Sequence, residues 1–363
     1  MKADGIDVCG FAGGEPDFDT PEHIKAAAMA ALEAGLTKYT PSSGLPELRE
    51  AIAEKFLEDN GLTYEPSQVI VSCGAKHSCA NAVLAVCDPG DEVIIPAPYW
   101  LSYPEMVRVA GATPVIVETS AASGWKITAE QFENAMTPRT KMIVLNTPGN
   151  PTGAVYSRAE LEALAEVALE EEIIVLADEI YEKLVYEDAE HVSIASLGEE
   201  IANLTVTVNG FSKSYSMTGW RLGYMGAPPE TAAAVNSMQS HMTSNATSFA
   251  QKGGLAALKG DQSIIEDMRM EFDMRRQYMI GRLEAIPRLA AIKPLGAFYM
   301  LADISKTELS SQNFADSLLS KANVAVIPGV AFGADHTVRL SYTCGMDVLK
   351  NGLDRLEDFC ARI

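Results

Sequence analysis

Short apolar segments of strand length alternate with longer segments of helical periodicity through the middle of this chain. The pattern predicts strands over residues 68–72, 92–96, 113–117, 141–146, 173–177, 204–208 and 222–226. Helices are predicted between most of these strands, and Thr128 and Ser157 each begin a capping box that marks a helix start. Alternation of this kind predicts an α/β fold, in which a mainly parallel sheet is covered by helices on both faces.

The pattern changes after about residue 230, where long helical segments dominate. Helices are predicted over residues 231–258, 263–283 and 348–361, and strands over 297–302, 325–328 and 337–342. This mixture favours a smaller α+β domain, and the first 36 residues are expected to pack with it. The predicted division is a large domain over 37–260 and a small domain over 1–36 and 261–363.

Composition excludes several classes of function. A formal net charge of −21 opposes binding to nucleic acid or to an anionic membrane surface. The six cysteines form no C-x-x-C pair and are interpreted as reduced core thiols, and the five scattered histidines predict no metal site. The sequence has neither a signal-peptide pattern at its start nor an apolar run of the ~20 residues that span a bilayer. A cytoplasmic protein is therefore expected.

Lys213 has the most informative surroundings in the chain. It follows the predicted strand 204–208 and the pair Asn209–Gly210, among small residues. A lysine held past a strand end and partly out of water can lose its proton and act as an amine nucleophile. Arg221, eight residues later, supplies fixed positive charge suited to a phosphate. A lone lysine is more often a solvated surface residue, but this pairing favours a pyridoxal-phosphate enzyme.

Two further strand ends carry candidate chemistry, because ligands of α/β sheets bind beyond the carboxyl ends of strands. Asn150 lies in a segment of turn formers, which turn geometry alone would explain except for the amide itself. Asp178 could be a helix N-cap, or a carboxylate that keeps a pyridine nitrogen protonated. Tyr181, three residues later, could then bond the phenolic oxygen of the same ring.

Three more positions have both a structural and a functional interpretation. Gly74, followed by Ala75 and Lys76, forms a strand-to-helix turn whose backbone N–H groups could bind an anion, although many ordinary turns look the same. Trp100 is either a core aromatic or a stacking partner for a ring. Arg339 is either part of a structural ion pair or a clamp for a substrate carboxylate.

Together these stretches resemble the fold-type I pyridoxal-phosphate aminotransferases of the class I/II group, and the aspartate aminotransferase branch most closely. The matching pieces run almost the whole length of the chain. They are GEPDFDTP at 14–21, KYTP at 38–41, GLPELR at 44–49, PYWLSY at 98–103, NTPGNPTG at 146–153, DEIY at 178–181, the segment 208–224, GAFY at 296–299 and RLSY at 339–342.

The resemblance implies a set of roles around pyridoxal 5'-phosphate. Lys213 would hold the cofactor as a Schiff base and shuttle the proton, while Asp178 pairs with the ring nitrogen. Tyr181 and Asn150 would bond the phenolic oxygen, and Trp100 would stack on the ring. The catalytic residues implied are therefore Lys213, Asp178 and Tyr181.

The resemblance also implies how the phosphate is held and how the protein assembles. Ala75, Lys76, Ser212 and Arg221 would hold the phosphate. Tyr39 would reach the phosphate of a neighbouring subunit, which implies a homodimer with shared active sites.

For the substrate, the resemblance assigns the α-carboxylate to Arg339, with Gly14, Trp100 and Asn150 in the same subsite. It implies a ping-pong transfer of an amino group between an amino acid, aspartate first, and a 2-oxo acid such as 2-oxoglutarate. Some relatives bind the distal carboxylate of aspartate through a lysine in the helix after the Gly74 turn, but the matching stretch 83–86 has none. Aromatic, prephenate or alanine-type aminotransferases, a β-lyase and a non-catalytic binding protein of this fold stay open as alternatives.

Overall fold

The computed structural model of the protein describes residues 5–363, which form two larger sheets, one strand pair and the helices that cover them. The helices are α1 (Glu22–Glu33), α2 (Pro46–Asn60), α3 (Ala75–Val86), α4 (Ser102–Val109), α5 (Ala129–Ala135), α6 (Arg158–Glu170), α7 (Glu199–Ala202), α8 (Pro229–Met242), α9 (Ser248–Lys259), α10 (Ser263–Glu284), α11 (Ser311–Ala322) and α12 (Met346–Cys360). The strands are β1 (Cys9–Gly10), β2 (Val69–Ser72), β3 (Glu92–Ala97), β4 (Thr113–Glu118), β5 (Thr140–Asn146), β6 (Ile174–Asp178), β7 (Thr205–Gly210), β8 (Gly223–Gly226), β9 (Ala290–Ala291), β10 (Tyr299–Asp303), β11 (Val324–Ala325), β12 (Ile327–Pro328) and β13 (Thr337–Ser341).

The central sheet has seven strands in the order β2-β8-β7-β6-β5-β3-β4. The pairs from β7 to β4 are parallel, and β8 alone runs antiparallel to its neighbours β2 and β7. This confirms the predicted α/β fold with a mainly parallel sheet. The parallel strands are joined through helices, as crossover connections require.

Alternation of side chains along each strand explains why both faces of this sheet are covered. In β5, Met142 and Val144 belong to a core cluster that also contains Cys79 of α3 and Val235 of α8. The intervening Ile143 and Leu145 belong to a different cluster, which contains Phe132 of α5 and Leu161 and Leu164 of α6. Because successive strand residues point to opposite faces, one apolar run supplies two helix layers.

The C-terminal part of the chain forms a second, antiparallel sheet in the order β12-β13-β10-β9. Near the N-terminus, β1 pairs in parallel with β11, whereas α1 packs against α9. The division into domains at residues 36 and 260 stays a prediction, and residues 1–4 of its first segment lie outside the described part.

One predicted element was wrong. The helix predicted over 231–258 is two helices, α8 and α9, separated by residues 243–247. Ser244 adopts a left-handed φ of 61°, and the Asn245 side chain donates to the Ala246 carbonyl at 2.6 Å. Local side-chain bonds of this kind compete with helical hydrogen bonds, which helical periodicity alone does not reveal.

A second prediction needed refinement. The strand predicted over 325–328 is divided between β11 and β12, which belong to different sheets.

No helix among residues 5–363 combines the length and the apolar character that crossing a membrane requires.

Candidate active site

The carboxyl ends of β5 and β6 lie side by side and set the floor of the candidate site. Asn146 is the register partner of Asp178, and its side-chain amide donates to the Asp178 carbonyl at 2.9 Å. The Asn146 side-chain oxygen accepts from the Asn150 backbone N–H at 2.8 Å. Asn146 therefore fixes the loop that carries Asn150 next to the strand that ends in Asp178.

A cavity of about 640 Å³ opens above these strand ends. All predicted site residues except Tyr39 line it: Gly14, Ala75, Lys76, Trp100, Asn150, Asp178, Tyr181, Ser212, Lys213, Arg221 and Arg339. Tyr39 lies elsewhere on the chain, with 87% of its surface exposed. Residues far apart in sequence thus line one cavity. Tyr39, which was predicted to act across a subunit boundary, does not line the cavity of its own chain.

Lys213 lies three residues past the end of β7, and its amine donates to the Gly14 carbonyl. The amine is 5.7 Å from the Tyr181 ring and 5.5 Å from the Phe298 ring. Burial lowers the pKa of Lys213 to about 8, against the opposing effect of the Glu15 carboxylate. The site thus favours a neutral, nucleophilic amine far more than water does.

Asp178 is buried at the end of β6, with both carboxylate oxygens hydrogen-bonded. One oxygen accepts from the Tyr103 hydroxyl at 2.7 Å, and the other accepts from the Ile180 backbone N–H at 3.2 Å. Burial raises the pKa of Asp178, and the hydrogen bond from Tyr103 works against that rise. A buried acid of this kind is suited to meet a cationic group that enters the cavity.

One end of the cavity is suited to bind an anion. Helix α3 begins there, and its first N–H groups, at Ala75 and Lys76, have no acceptor within the helix. Gly74 has a φ of +90°, and a Cβ at this position would lie 2.5 Å from a terminal nitrogen of Arg221. Glycine therefore allows the Arg221 guanidinium to lie against the helix start, and buried Ser212 completes this end of the cavity.

Arg339 in β13 is held before any ligand arrives. One terminal nitrogen donates to the Asn150 side-chain oxygen at 3.0 Å, and the other donates to the Ala12 carbonyl at 3.1 Å. The guanidinium lies 4.3 Å from the centre of the Tyr299 ring. A planar donor fixed in this way can take a carboxylate in a bidentate manner.

The sequence matches the aminotransferase class I and II family over residues 6–356. The chain belongs to this family. It is an aminotransferase, and the resemblance found from the separate motifs is confirmed across nearly the whole length.

Related proteins and solved structures agree with this assignment. An aspartate aminotransferase of Bacillus sp. (strain YM-2) is 48% identical over an alignment of 364 positions, which covers 99% of this chain and 93% of that protein. An aspartate/prephenate aminotransferase of Cereibacter sphaeroides is 46% identical, with coverage of 99% and 93%. The crystal structure of the aspartate aminotransferase from Rhizobium meliloti matches with a TM-score of 0.97 at 43% identity, covering 100% of this chain and 93% of that one.

Several residues of the aminotransferase site were not predicted from the sequence. Tyr103 and Tyr299 were quoted only as parts of motifs, yet both line the cavity. Tyr299 is bonded to Tyr181, with 3.1 Å between their hydroxyl oxygens. Glu15 accepts from the Thr218 hydroxyl at 2.7 Å. The available signal was position, since each of these residues belongs to, or lies within a few residues of, a recognised motif.

Lys76 has a feature that its predicted phosphate role did not include. Its ammonium lies 4.9 Å from the centre of the Trp100 ring, at the wall of the cavity. A cation over an aromatic face is held by the ring quadrupole. The aminotransferase therefore presents a positive side chain to the cavity in addition to Arg221 and Arg339.

A charged cluster lies behind the Asp178 strand end. Glu179, Glu182 and His191 bring ligand-type atoms within 4.8 Å of one another. Each acid already has a cationic partner, because His191 lies 3.1 Å from Glu179 and Lys55 is paired with Glu182. Burial alone would lower the pKa of His191, but Glu179 outweighs it and raises the pKa. The cluster is accounted for as a buried ion-pair network.

Proposed function

We propose that this aminotransferase uses pyridoxal 5'-phosphate to move an amino group between aspartate and a 2-oxo acid such as 2-oxoglutarate. The observation that carries the proposal is the arrangement of Lys213, Asp178 and Arg221 around one cavity. An amine with a lowered pKa suits an aldehyde, a buried acid suits a protonated ring nitrogen, and a helix start with an arginine suits a phosphate. The residues present fit the cofactor in all three respects.

When bound, pyridoxal phosphate supplies an aldehyde that condenses with amines and a ring that accepts electron density. Lys213 Nζ would hold the cofactor through its aldehyde and would be the base that removes the proton from the α-carbon of the amino acid. Asp178 would keep the ring nitrogen protonated, and Tyr181 and Asn150 would bond the phenolic oxygen. The first oxo acid leaves before the second binds, which is a ping-pong sequence.

The remaining roles concern position. Trp100 stacks on the ring, and the phosphate is bound by Ser212, Arg221 and the backbone N–H groups of Ala75 and Lys76. Exposed Tyr39 is free to reach the phosphate of a second copy, so the proposal includes a homodimer with shared active sites. A cytoplasmic location belongs to the same proposal.

Charge in the cavity supports a dicarboxylate substrate. Arg339 is fixed to take the α-carboxylate, with Gly14 contributing backbone beside it. Lys76 supplies a second positive group on the cavity wall, which suits the distal carboxylate of aspartate. The relatives from Bacillus and Rhizobium are aspartate aminotransferases by name, which agrees with aspartate as the donor.

Prephenate is a second candidate substrate. The relative from Cereibacter sphaeroides is named for both aspartate and prephenate. Coupled assays with aspartate as the donor, and with 2-oxoglutarate and prephenate compared as acceptors, would separate the two.

The covalent link to Lys213 is tested by borohydride reduction of the holoprotein, followed by peptide mass spectrometry. We expect the reduced cofactor on Lys213, and its loss in Lys213→Ala together with nearly all activity. Label on a different lysine, or wild-type turnover by Lys213→Ala, would contradict the proposal.

The substrate assignment is tested with Lys76→Ala in steady-state kinetics. KM for aspartate should rise roughly tenfold, because one charge-assisted contact is lost, while KM for alanine changes little. Lys252→Ala is a matched control, since Lys252 is paired with Glu47 outside the cavity. Equal changes in KM for aspartate and for alanine would show that Lys76 does not bind the distal carboxylate.

A further inference from the structure

Tyr103 is the residue whose position the proposed roles leave unexplained. It lies in the first turn of α4, only 2% exposed, and its hydroxyl donates to Asp178 at 2.7 Å. The other close side chain is Cys79 of α3, whose sulfur is 3.7 Å from the same carboxylate oxygen. A thiol is a weak donor, so Tyr103 is the main side-chain support of this acid.

The hydroxyl of Tyr103 stays a donor over the working pH range. Burial raises its pKa well above the ordinary value, and the negative charge of Asp178 raises it further. The contact is therefore an O–H···O⁻ hydrogen bond, which favours the ionised form of the carboxylate.

This contact bears on where a shared proton resides. In a buried pair of carboxylate and ring nitrogen, the proton can sit on nitrogen, which gives an ion pair, or on oxygen, which gives a neutral pair. Desolvation favours the neutral pair, whereas a donor to the carboxylate favours the ion pair. Only a ring nitrogen that keeps its proton withdraws electrons strongly.

We propose that Tyr103 is a positioning residue for the reaction, whose hydroxyl keeps Asp178 ionised and oriented so that the proton stays on the cofactor ring nitrogen. The inference rests on the proposed function. The Ile180 N–H fixes one oxygen of Asp178 and Tyr103 fixes the other, so the plane of the carboxylate is set before the ring arrives.

The turn that leads into α4 connects this support to the side chain proposed to stack on the ring: the Tyr103 backbone N–H donates to the Trp100 carbonyl at 3.0 Å. Trp100, proposed to stack on the ring, lies one turn before Tyr103, and the two rings meet edge to face with centroids 5.2 Å apart. The same turn of chain therefore places the stacking side chain and the donor to Asp178. A shift of this turn would disturb both contacts together.

The test is a double-mutant cycle read by cofactor affinity. Apoproteins of the wild type, Tyr103→Phe, Asp178→Asn and the double variant are titrated with pyridoxal phosphate, and Kd is measured by absorbance. Tyr103→Phe should weaken binding by about tenfold in the wild-type background, the effect of one hydrogen bond to a charged group. In the Asp178→Asn background it should weaken binding about threefold or less, because the acceptor is neutral.

Kinetics give a second readout. In Tyr103→Phe, kcat should fall while KM for the amino acid changes little, because Arg339 is untouched. Tyr64→Phe is the matched control: it removes another buried hydroxyl, which is bonded to Thr207 at 3.0 Å, away from the cavity. Its Kd and kcat should equal those of the wild type, and circular dichroism checks the fold of every variant.

The outcomes separate this inference from the proposed function. An equal loss of affinity in both backgrounds, or no loss in the wild-type background, would overturn the role of Tyr103. A wild-type apoprotein that binds no pyridoxal phosphate would instead overturn the proposed function. Should Tyr103→Phe fail to fold, Tyr103→His keeps a donor and must retain more affinity than Tyr103→Leu.

Discussion

The lowered pKa of Lys213 has a direct kinetic consequence in the apoprotein. Burial disfavours the ammonium form, and the pKa falls to about 8. At pH 7 about 9% of the Lys213 amine is then neutral, compared with roughly 0.04% for a lysine in water. The neutral, reactive fraction of Lys213 at this pH should therefore be roughly 230-fold larger than that of a lysine in water, and its labelling by an amine-specific reagent should begin at a correspondingly lower pH.

Removal of the Glu15 carboxylate should change the pKa of Lys213 in a definite direction. Glu15 is the main group that opposes the effect of burial, because its carboxylate favours the ammonium. Glu15→Gln removes this support, so the pKa of Lys213 should fall further and the reactivity curve should move to lower pH. Thr218, which donates to Glu15 at 2.7 Å, can still donate to the glutamine oxygen.

The assay is pulse labelling of the apoprotein between pH 6 and 11, with the Lys213 peptide quantified by mass spectrometry. Half-maximal labelling is expected near pH 8. Unfolded protein in urea is the control, in which the same peptide should titrate near the ordinary lysine value of about 10.4. Half-maximal labelling of the folded protein above pH 10, or an upward shift in Glu15→Gln, would refute the reasoning.

Three further changes test other parts of the molecule. Arg339→Lys removes the planar fork, so KM for the amino acid should rise at least about tenfold in steady-state kinetics while kcat changes less. Gly74→Ala places a methyl group against Arg221 at a positive φ, so Kd for pyridoxal phosphate should rise at least about tenfold in titrations of the apoprotein. Lys55→Ala leaves Glu182 buried without its cation, so urea unfolding should show a loss of about 3 kcal/mol or more.

Each of these three substitutions has a matched control substitution elsewhere in the chain. Arg108→Lys alters an exposed arginine, so KM should be unchanged. Gly281→Ala adds a methyl group in α10 with no heavy atom within 4 Å and should leave cofactor affinity unaltered. Lys25→Ala removes an exposed ion pair and should leave the free energy of unfolding nearly unchanged. If a control variant changes KM, Kd or the free energy of unfolding as much as the variant it is matched to, the interpretation of that site is contradicted.

The sequence predicted those parts of the fold that depend on local pattern. Strand ends are visible from apolar runs, and the rule that ligands bind beyond them selected Asp178 and Asn150 as candidate site residues. Their actual connection through Asn146 depends on strand register, which the pattern does not contain. The break between α8 and α9 was missed because residues on both sides keep helical periodicity.

The structure adds those parts of the candidate site that depend on long-range contacts. The bond between Tyr103 and Asp178 joins residues 75 positions apart, and that between Arg339 and Asn150 joins residues 189 positions apart. No pattern in the local sequence specifies which hydroxyl group will donate a hydrogen bond to a buried acid. The motifs bring such residues to attention, and only packing of the helices on the sheet assigns their partners.

The anchored state of Arg339 also affects how a substrate is selected. A flexible arginine would lose rotamer freedom on capturing a carboxylate, at a cost of about 0.5–1.5 kcal/mol. Here Asn150, the Ala12 carbonyl and the face of Tyr299 already immobilise the guanidinium, so that entropy is lost during folding. The incoming acid meets a rigid template, and discrimination between amino acids is left to the part of the cavity that faces their side chains.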